Sequence, residues 1–109
     1  MIVSYASTDI RHLCESHAVS EKQFSVSELK LLRAALSDIC AAKHIGEVLG
    51  LTYEETDGEV SIGCKGYLKL KPGLILNCTL QSTLSKPEKS LVAKETIRRL
   101  RVDHIGSKK

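Results

Sequence analysis

The spacing of apolar residues divides the chain into a helical first part and a β-rich second part. "IVSY" at the start is β-prone and predicts a short strand. Apolar residues then recur at helical spacing behind the capping-type residues Ser7, Thr8 and Asp9, which predicts a helix over 8–18. A capping box formed by Ser25 and Glu28 precedes a longer apolar stripe, which predicts a second helix over 26–43. That stripe comprises Leu29, Leu32, Leu36, Ile39 and Cys40.

From Leu51 the period of the pattern changes to two, which is typical of strands. Asp57 and Gly58 lie between two alternating runs and predict a hairpin with a two-residue loop. Extending that hairpin predicts four opposed pairs along two strands. They are Thr56 with Glu59, Glu55 with Val60, Tyr53 with Ile62, and Leu51 with Cys64.

The second hairpin strand continues to Lys71, with a bend predicted at Gly63 or Gly66. After Pro72 and Gly73 a third strand follows, and pairing apolar with apolar residues requires an odd loop, of about three residues. This register directs two thiols into the core and a basic stripe to the other face. The thiols are Cys64 and Cys78, and the stripe is Lys65, Tyr67, Lys69 and Lys71.

The C-terminal part is less regular. Apolar residues after Pro87 predict a helix over 87–99, and the alternation of Leu100 and Val102 predicts a short last strand. Residues 106–109 are predicted to form a loose, disordered end. The fold class is therefore α+β: an antiparallel sheet, ordered β-α-α-β-β-β before the last helix and strand, with two N-terminal helices packed on one face.

Composition agrees with one folded domain over residues 1–109. Charged residues make up 27% and hydrophobic residues 42% of the chain, which is ordinary for a globular protein. No apolar run approaches the roughly 20 residues that cross a bilayer, and the start "MIVSYASTDI" lacks a signal-like block. We expect a cytoplasmic protein without a membrane partner.

The four cysteines show no metal-ligand spacing, and the histidines form no finger-like pattern. Free thiols in a reducing compartment behave as small apolar residues, so core positions are expected for them. The chain also lacks a phosphate-binding glycine loop and a nucleophile motif. We therefore predict neither a metal nor a small-molecule cofactor.

The net charge of +3 is distributed unevenly. Residues 85–109 carry eight Lys or Arg against three acidic residues, whereas residues 1–84 carry eight against ten. A basic C-terminal part on a mildly acidic body favours polyanionic partners. The same pattern also fits a solvated surface with a frayed end.

Several segments resemble the HigB-like branch of the RelE/ParE-like bacterial toxins. "MIVSYASTDIRHLC" is similar to their first strand and helix, and "LRAALSDICAAKHIGEV" to their second helix. "GEVSIGCKGYLKL" resembles their central strand pair, with Lys69 at the position of a functional arginine. "RVDHI" resembles their terminal Asp-Tyr-His motif and aligns Asp103 and His104 with it. Residues 82–99 look like an insertion.

The resemblance implies a toxin of a toxin–antitoxin pair that cleaves ribosome-bound messenger RNA without a metal and is silenced by an antitoxin protein. It implies His104, Lys69 and Asp103 as catalytic residues. The expected RNA-binding residues are then the other members of the basic stripe and two cations of the C-terminal part. They are Lys65, Tyr67, Lys71, Arg101 and Lys108.

Two questions stay open at this point. Strict alternation from Leu100 and Val102 would aim His104 at the core, whereas the resemblance places it beside the lysines. The chain is also compatible with a non-catalytic RelE-like module that binds nucleic acid or protein, or with a small immunity-type binding protein. A catalyst needs His104 within reach of the basic stripe, and a binder does not.

Overall fold

A computed structural model describes residues 1–16, 24–82, 86, 87 and 89–106. The elements, in chain order, are β1 Ile2–Tyr5, α1 Thr8–Glu15, α2 Val26–Ala41, β2 Leu51–Tyr53, β3 Glu59–Ser61, β4 Lys65–Lys71, β5 Leu74–Gln81, β6 Leu91–Ala93 and β7 Arg99–Gly106. Short 3-10 turns lie at Ile45–Glu47 and Lys94–Thr96. The α+β class with two N-terminal helices is confirmed.

Five strands form the main sheet in the order β1-β7-β5-β4-β2. Neighbouring strands are antiparallel except that β1 runs parallel to β7, so the sheet is mixed rather than purely antiparallel. The last strand is long and central, not the short end strand expected from the sequence. A separate two-stranded sheet pairs β3 with β6.

Local sequence explains where both helices begin. The Ser7 hydroxyl accepts a hydrogen bond from the Ile10 N–H at the start of α1. At the start of α2, Ser25 and Glu28 form both hydrogen bonds of the predicted capping box. The predicted helix over 8–18 ends earlier, at Glu15, and residues 17 and 18 lie outside the described part.

Both helices cover one face of the main sheet. α1 contacts β1 and β7, and α2 contacts β1 and β4. The core lies between these layers and includes residues with no exposed surface, namely Ile39, Leu76, Leu80, Leu100 and Val102. We call this the covered face, and the opposite face of the same sheet the open face.

The predicted hairpin at Asp57 and Gly58 is present only at its tip. Both residues have positive φ, as a type I′ turn requires, and Thr56 bridges Glu59. The other three predicted pairs are wrong: Leu51 pairs with Leu68, and Tyr53 pairs with Gly66. The chain bends at Gly63, where φ is +85°, and this bend takes β3 away from β2 to a different partner.

That partner replaces the helix predicted over 87–99, which is wrong. Residues 91–93 form β6, with Val92 buried between exposed neighbours and opposite Val60 of β3. The exposure of the side chains thus alternates with a period of two along this strand. Tertiary pairing with β3, rather than local helix propensity, determines the conformation.

Candidate functional site

A bulge in β7 places both Asp103 and His104 on the open face. Val102 pairs with Cys78 and His104 pairs with Asn77, so Asp103 is an extra residue with no partner on β5. The alternation restarts after the bulge. His104 is exposed and the next residue, Ile105, is buried. Strict alternation from Val102, which would have turned His104 into the core, therefore does not hold here.

Asp103 is bound within a polar cluster that crosses the three central strands. The Thr79 hydroxyl donates to Asp103 Oδ2 at 2.5 Å, and Arg101 Nε donates to Oδ1 at 2.8 Å. Lys65 Nζ donates to the Thr79 hydroxyl at 2.8 Å and lies 3.5 Å from Asp103 Oδ2. Thr79 is 5% exposed, so this cluster satisfies a buried hydroxyl as well as a half-buried carboxylate.

The cluster keeps Asp103 ionised. Burial acts to raise the pKa of this carboxyl, but hydrogen bonds from Thr79 and Arg101, with the charges of Arg101 and Lys65, outweigh that effect. The pKa of Asp103 consequently lies below its ordinary value. An ionised carboxylate with both oxygens engaged orients its cationic neighbours and is a weak proton acceptor.

A cleft of about 450 Å³ opens beside this cluster. Tyr67, Asn77 and His104 are opposed across β4, β5 and β7, so they form one row over its floor. Its lining comprises Lys65, Gly66, Tyr67, Asn77, Cys78, Asp103 and His104. We call it the His104 cleft. It combines a histidine, a cation and an aromatic ring in one depression.

Gly106 leaves room for the imidazole. A Cβ built at Gly106 would lie 2.8 Å from His104 Nε2, so the ring lies directly over this glycine. The backbone at Gly106 does not have a positive φ, and space for the ring is therefore the feature that favours glycine here. The ring of His104 thus packs along the strand against this glycine.

A second bulge, in β4, removes Lys71 from the basic stripe. The register shifts between Lys69 and Lys71, so that Lys71 pairs with Leu74, which is buried in the core. Lys71 therefore points to the covered face, where its Nζ lies 3.0 Å from Glu28 at the start of α2. The predicted single stripe of four residues is wrong at this position. The predicted odd loop is wrong as well, because Lys71 pairs with Leu74 across a two-residue turn, and the bulge restores the apolar register.

The other predicted site residues are distributed as follows. Lys65 and Tyr67 line the His104 cleft, and Arg101 belongs to the polar cluster. Lys69 is exposed on the open face, opposite Ile75, and does not line this cleft. Lys108 lies outside the described residues.

Sequence reasoning missed three open-face residues: Asn77, Thr79 and Arg99. The polar positions of β5 alternate with its leucines, and the structure places Thr79 opposite Lys65 and Asn77 opposite Tyr67. That alternation is the signal that could have included both. Arg99 was hidden because its segment was interpreted as the end of a helix rather than the start of β7.

Beneath the cleft, Cys78 faces the core as predicted and is 1% exposed. Burial, followed by the nearby charge of Asp103, raises the pKa of the Cys78 thiol to about 12. Cys64, predicted to be equally internal, is only half-buried, because it lies at the bend between β3 and β4. A buried thiol with this pKa is a packing group and not a nucleophile.

Within the described residues, no group of three or more His, Cys, Asp or Glu side chains is arranged to hold a metal ion. The described helices include none that is long and apolar enough to cross a membrane. Comparison with protein-family models, with curated proteins and with solved structures found no match.

Proposed function

We propose that the open face binds RNA and that the His104 cleft cleaves it, in the manner of the RelE/ParE-like toxins that the sequence resembles. The observation that carries this proposal is the β7 bulge, which brings His104 to the same cleft as Lys65 and Tyr67. A binding surface alone has no need of an imidazole in that position. Phosphodiester cleavage needs proton transfer, which an imidazole can supply.

The charge of the open face suits a polyanion. Among the paired positions of the described sheet, four cations project to this face: Lys65, Lys69, Arg99 and Arg101. The carboxylate of Asp103 lies on the same face and contacts Lys65 and Arg101. The remaining positive charge attracts phosphate groups, and Tyr67 offers a ring on which an unpaired base stacks.

The proposed reaction is an internal transesterification. The ribose 2′-oxygen attacks the adjacent phosphorus and loses its proton to a base, and the bond to the 5′-oxygen breaks as that oxygen receives a proton. A 2′,3′-cyclic phosphate and a 5′-hydroxyl result. His104 is the residue proposed to transfer a proton, since imidazole is the side chain that most often acts as a general acid or base. Lys65 neutralises the charge that develops on the phosphate oxygens.

Asp103 takes a different role from the one that the resemblance implies. Its lowered pKa and its hydrogen bonds to Thr79 and Arg101 make it a positioning residue for the two cations rather than a catalytic base. Lys69 is proposed as a peripheral phosphate contact. The resemblance supplies the biological setting, namely ribosome-bound messenger RNA as substrate and an antitoxin protein as the inhibitory partner.

A non-catalytic RNA-binding module is the second candidate, and one observation favours it. Among the described residues that line the cleft, Asp103 is engaged and Cys78 is buried, which leaves His104 as the one group to which a proton transfer is assigned. Transesterification usually uses both an acid and a base. A single histidine would have to serve alternately or rely on water or the ribosome.

The test compares cleavage of messenger RNA, on ribosomes and free, by wild type and His104→Ala. We expect His104→Ala to slow cleavage about 100-fold or more, the usual scale for an acid–base residue, and to relieve any growth arrest on expression. His12→Ala is the matched control, since His12 is exposed on α1, away from the open face. Wild type that binds RNA without cutting it would establish the non-catalytic module, and wild type that does neither would refute both candidates.

A further inference from the structure

A second depression of about 530 Å³ lies on the open face, on the other side of Lys65 from the His104 cleft. Its floor is formed by β5 and β7, and its wall by the bend at Ile62 and Gly63. Arg99 and Arg101 enter it from β7 and Gln81 from β5. We call it the Arg99 cleft.

The wall of this cleft is fixed by backbone hydrogen bonds. The Gly63 N–H donates to the Leu80 carbonyl at 2.8 Å, which joins the bend to β5. The Ile62 N–H donates to the Ser90 carbonyl at 2.9 Å, which continues the ladder between β3 and β6. The described part of segment 82–99 therefore pairs with the bend at the edge of the Arg99 cleft, and none of its described residues lines the His104 cleft.

The two clefts differ in charge. Among the described residues, the lining of the Arg99 cleft contains three cations, Lys65, Arg99 and Arg101, and no acidic residue. Two of these, Lys65 and Arg101, are partly neutralised by Asp103. Arg99 is exposed and makes no ion pair or side-chain hydrogen bond with any other described residue. A guanidinium that no described residue engages is suited to one phosphate group.

The spacing of the two clefts along β5 suits one extended ligand that enters both. Asn77 in the first and Gln81 in the second are four residues apart on β5, which corresponds to roughly 13 Å along a strand. Lys65 lines both clefts and lies between them. A mononucleotide fills only one depression, whereas a single strand carries phosphates at intervals along its length.

From this arrangement we infer that the Arg99 cleft is a second phosphate subsite, occupied by a flanking nucleotide of the same single-stranded RNA whose backbone enters the His104 cleft. This inference rests on the proposed RNA-binding function and adds to it a minimum substrate length and a residue, Arg99, that determines it. Arg99 acts in binding alone, since it is placed away from the cleft in which the bond would break.

The experiment measures the affinity of labelled single-stranded RNAs of about 12 and about 3 nucleotides, lengths above and below a typical single-strand site, for wild type, Arg99→Gln and Arg98→Gln. Arg98 is the matched control: it is exposed, loses the same charge on substitution and does not line the cleft. We expect Arg99→Gln to lower the affinity for the longer RNA roughly tenfold, the scale of one charge-assisted contact. It should also lower the slope of the salt dependence by about 0.7.

Arg99→Gln should weaken binding of the short RNA less than binding of the longer one, and Arg98→Gln should leave both affinities and cleavage at saturating RNA unchanged. Equal affinity of Arg99→Gln and Arg98→Gln for the longer RNA, while wild type still binds it, would overturn the subsite and leave the proposed function intact. Tighter binding of duplex than of single-stranded RNA would overturn it as well. Failure of wild type to bind any RNA at low salt would remove the proposed function and the subsite together.

Discussion

The two bulges of the main sheet act in opposite directions. In β4 the extra residue is Leu70, and it transfers Lys71 from the open to the covered face, where Lys71 pairs with Glu28. In β7 the extra residue is Asp103, and it transfers His104 from the covered to the open face. Each bulge shifts the alternation by one position from that point to the end of its strand.

The comparison shows that composition alone does not determine which charges a sheet presents. Without either bulge the open face would carry Lys71 and lack His104. The β4 bulge serves packing, since it ties the end of the strand to the capping residue of α2. The β7 bulge serves the site, since its extra residue is itself the centre of the polar cluster.

The largest effect on stability is expected when the effect of a carboxylate introduced at position 105 is compared with that of one introduced at position 104. Ile105→Asp should lower the free energy of unfolding by about 3–5 kcal/mol, because it buries an unpaired charge, whereas His104→Asp should change it by about 0.5 kcal/mol or less, as at exposed sites. Denaturant unfolding measures both. The reverse order would mean that the β7 bulge is absent and that His104 faces the core.

The next effect concerns the carboxylate in the β7 bulge. The pKa of Asp103 is lower in the folded than in the unfolded chain, so its contribution to stability is present above about pH 4 and is lost as pH falls below that value. Asp103→Asn should therefore lower stability at pH 7 by about 1–2 kcal/mol and flatten the acid limb of the stability curve. Parallel curves for the two proteins would show that the carboxylate gains nothing from Lys65 and Arg101.

A smaller and more local effect is expected at Gly106. Alanine there would meet the His104 ring, which is the flexible end of a side chain and is free to move. Gly106→Ala should displace the imidazole and slow RNA cleavage about tenfold, in line with the sensitivity of catalysis to position, with little loss of stability. Chemical shifts of the His104 ring provide a readout that does not depend on activity, and unchanged shifts would contradict the described packing.

The smallest effect is expected at the β4 bulge. A double-mutant cycle between Lys71→Ala and Glu28→Ala should give only a small favourable coupling, as for exposed ion pairs. Lys71→Ala should also leave the salt dependence of RNA binding unchanged, whereas Lys65→Ala should reduce its slope by about 0.7. Equal reductions of the salt slope in the two variants would mean that Lys71 lies on the open face.

Much of the fold follows from local sequence. The capping box at Ser25, the turn residues Asp57 and Gly58, and the alternation along β4 and β5 each specify an element or a register by chemistry within a few residues. The same alternation buries Cys78 and favours the apolar pairing that the structure shows between Leu68 and Leu76. Local signals of this kind predicted the two helices and the antiparallel pairing of β4 with β5, whereas the predicted register between β2 and the next strand is wrong.

The remaining features depend on contacts between distant segments. Residues 91–93 form a strand because β3 is available as a partner, and a window of sequence around Val92 contains no sign of that partner. The bulge at Asp103 depends on Thr79 and Lys65 from two other strands. Strict alternation therefore places His104 on the covered face, which is wrong. The resemblance around "RVDHI" places it on the open face, where it lies.

The position of β7 has a consequence for the order of assembly. This strand is the last one described along the chain, yet it lies between β1 and β5, and its first residue is paired with Ile2. Such high contact order slows folding, because the intervening chain must be closed into a loop before the pairing forms. During synthesis β1 cannot pair with β7 until nearly all of the described chain has been made. The clefts on the open face do not exist until β7 is in place, so a nascent or truncated chain would lack both of them.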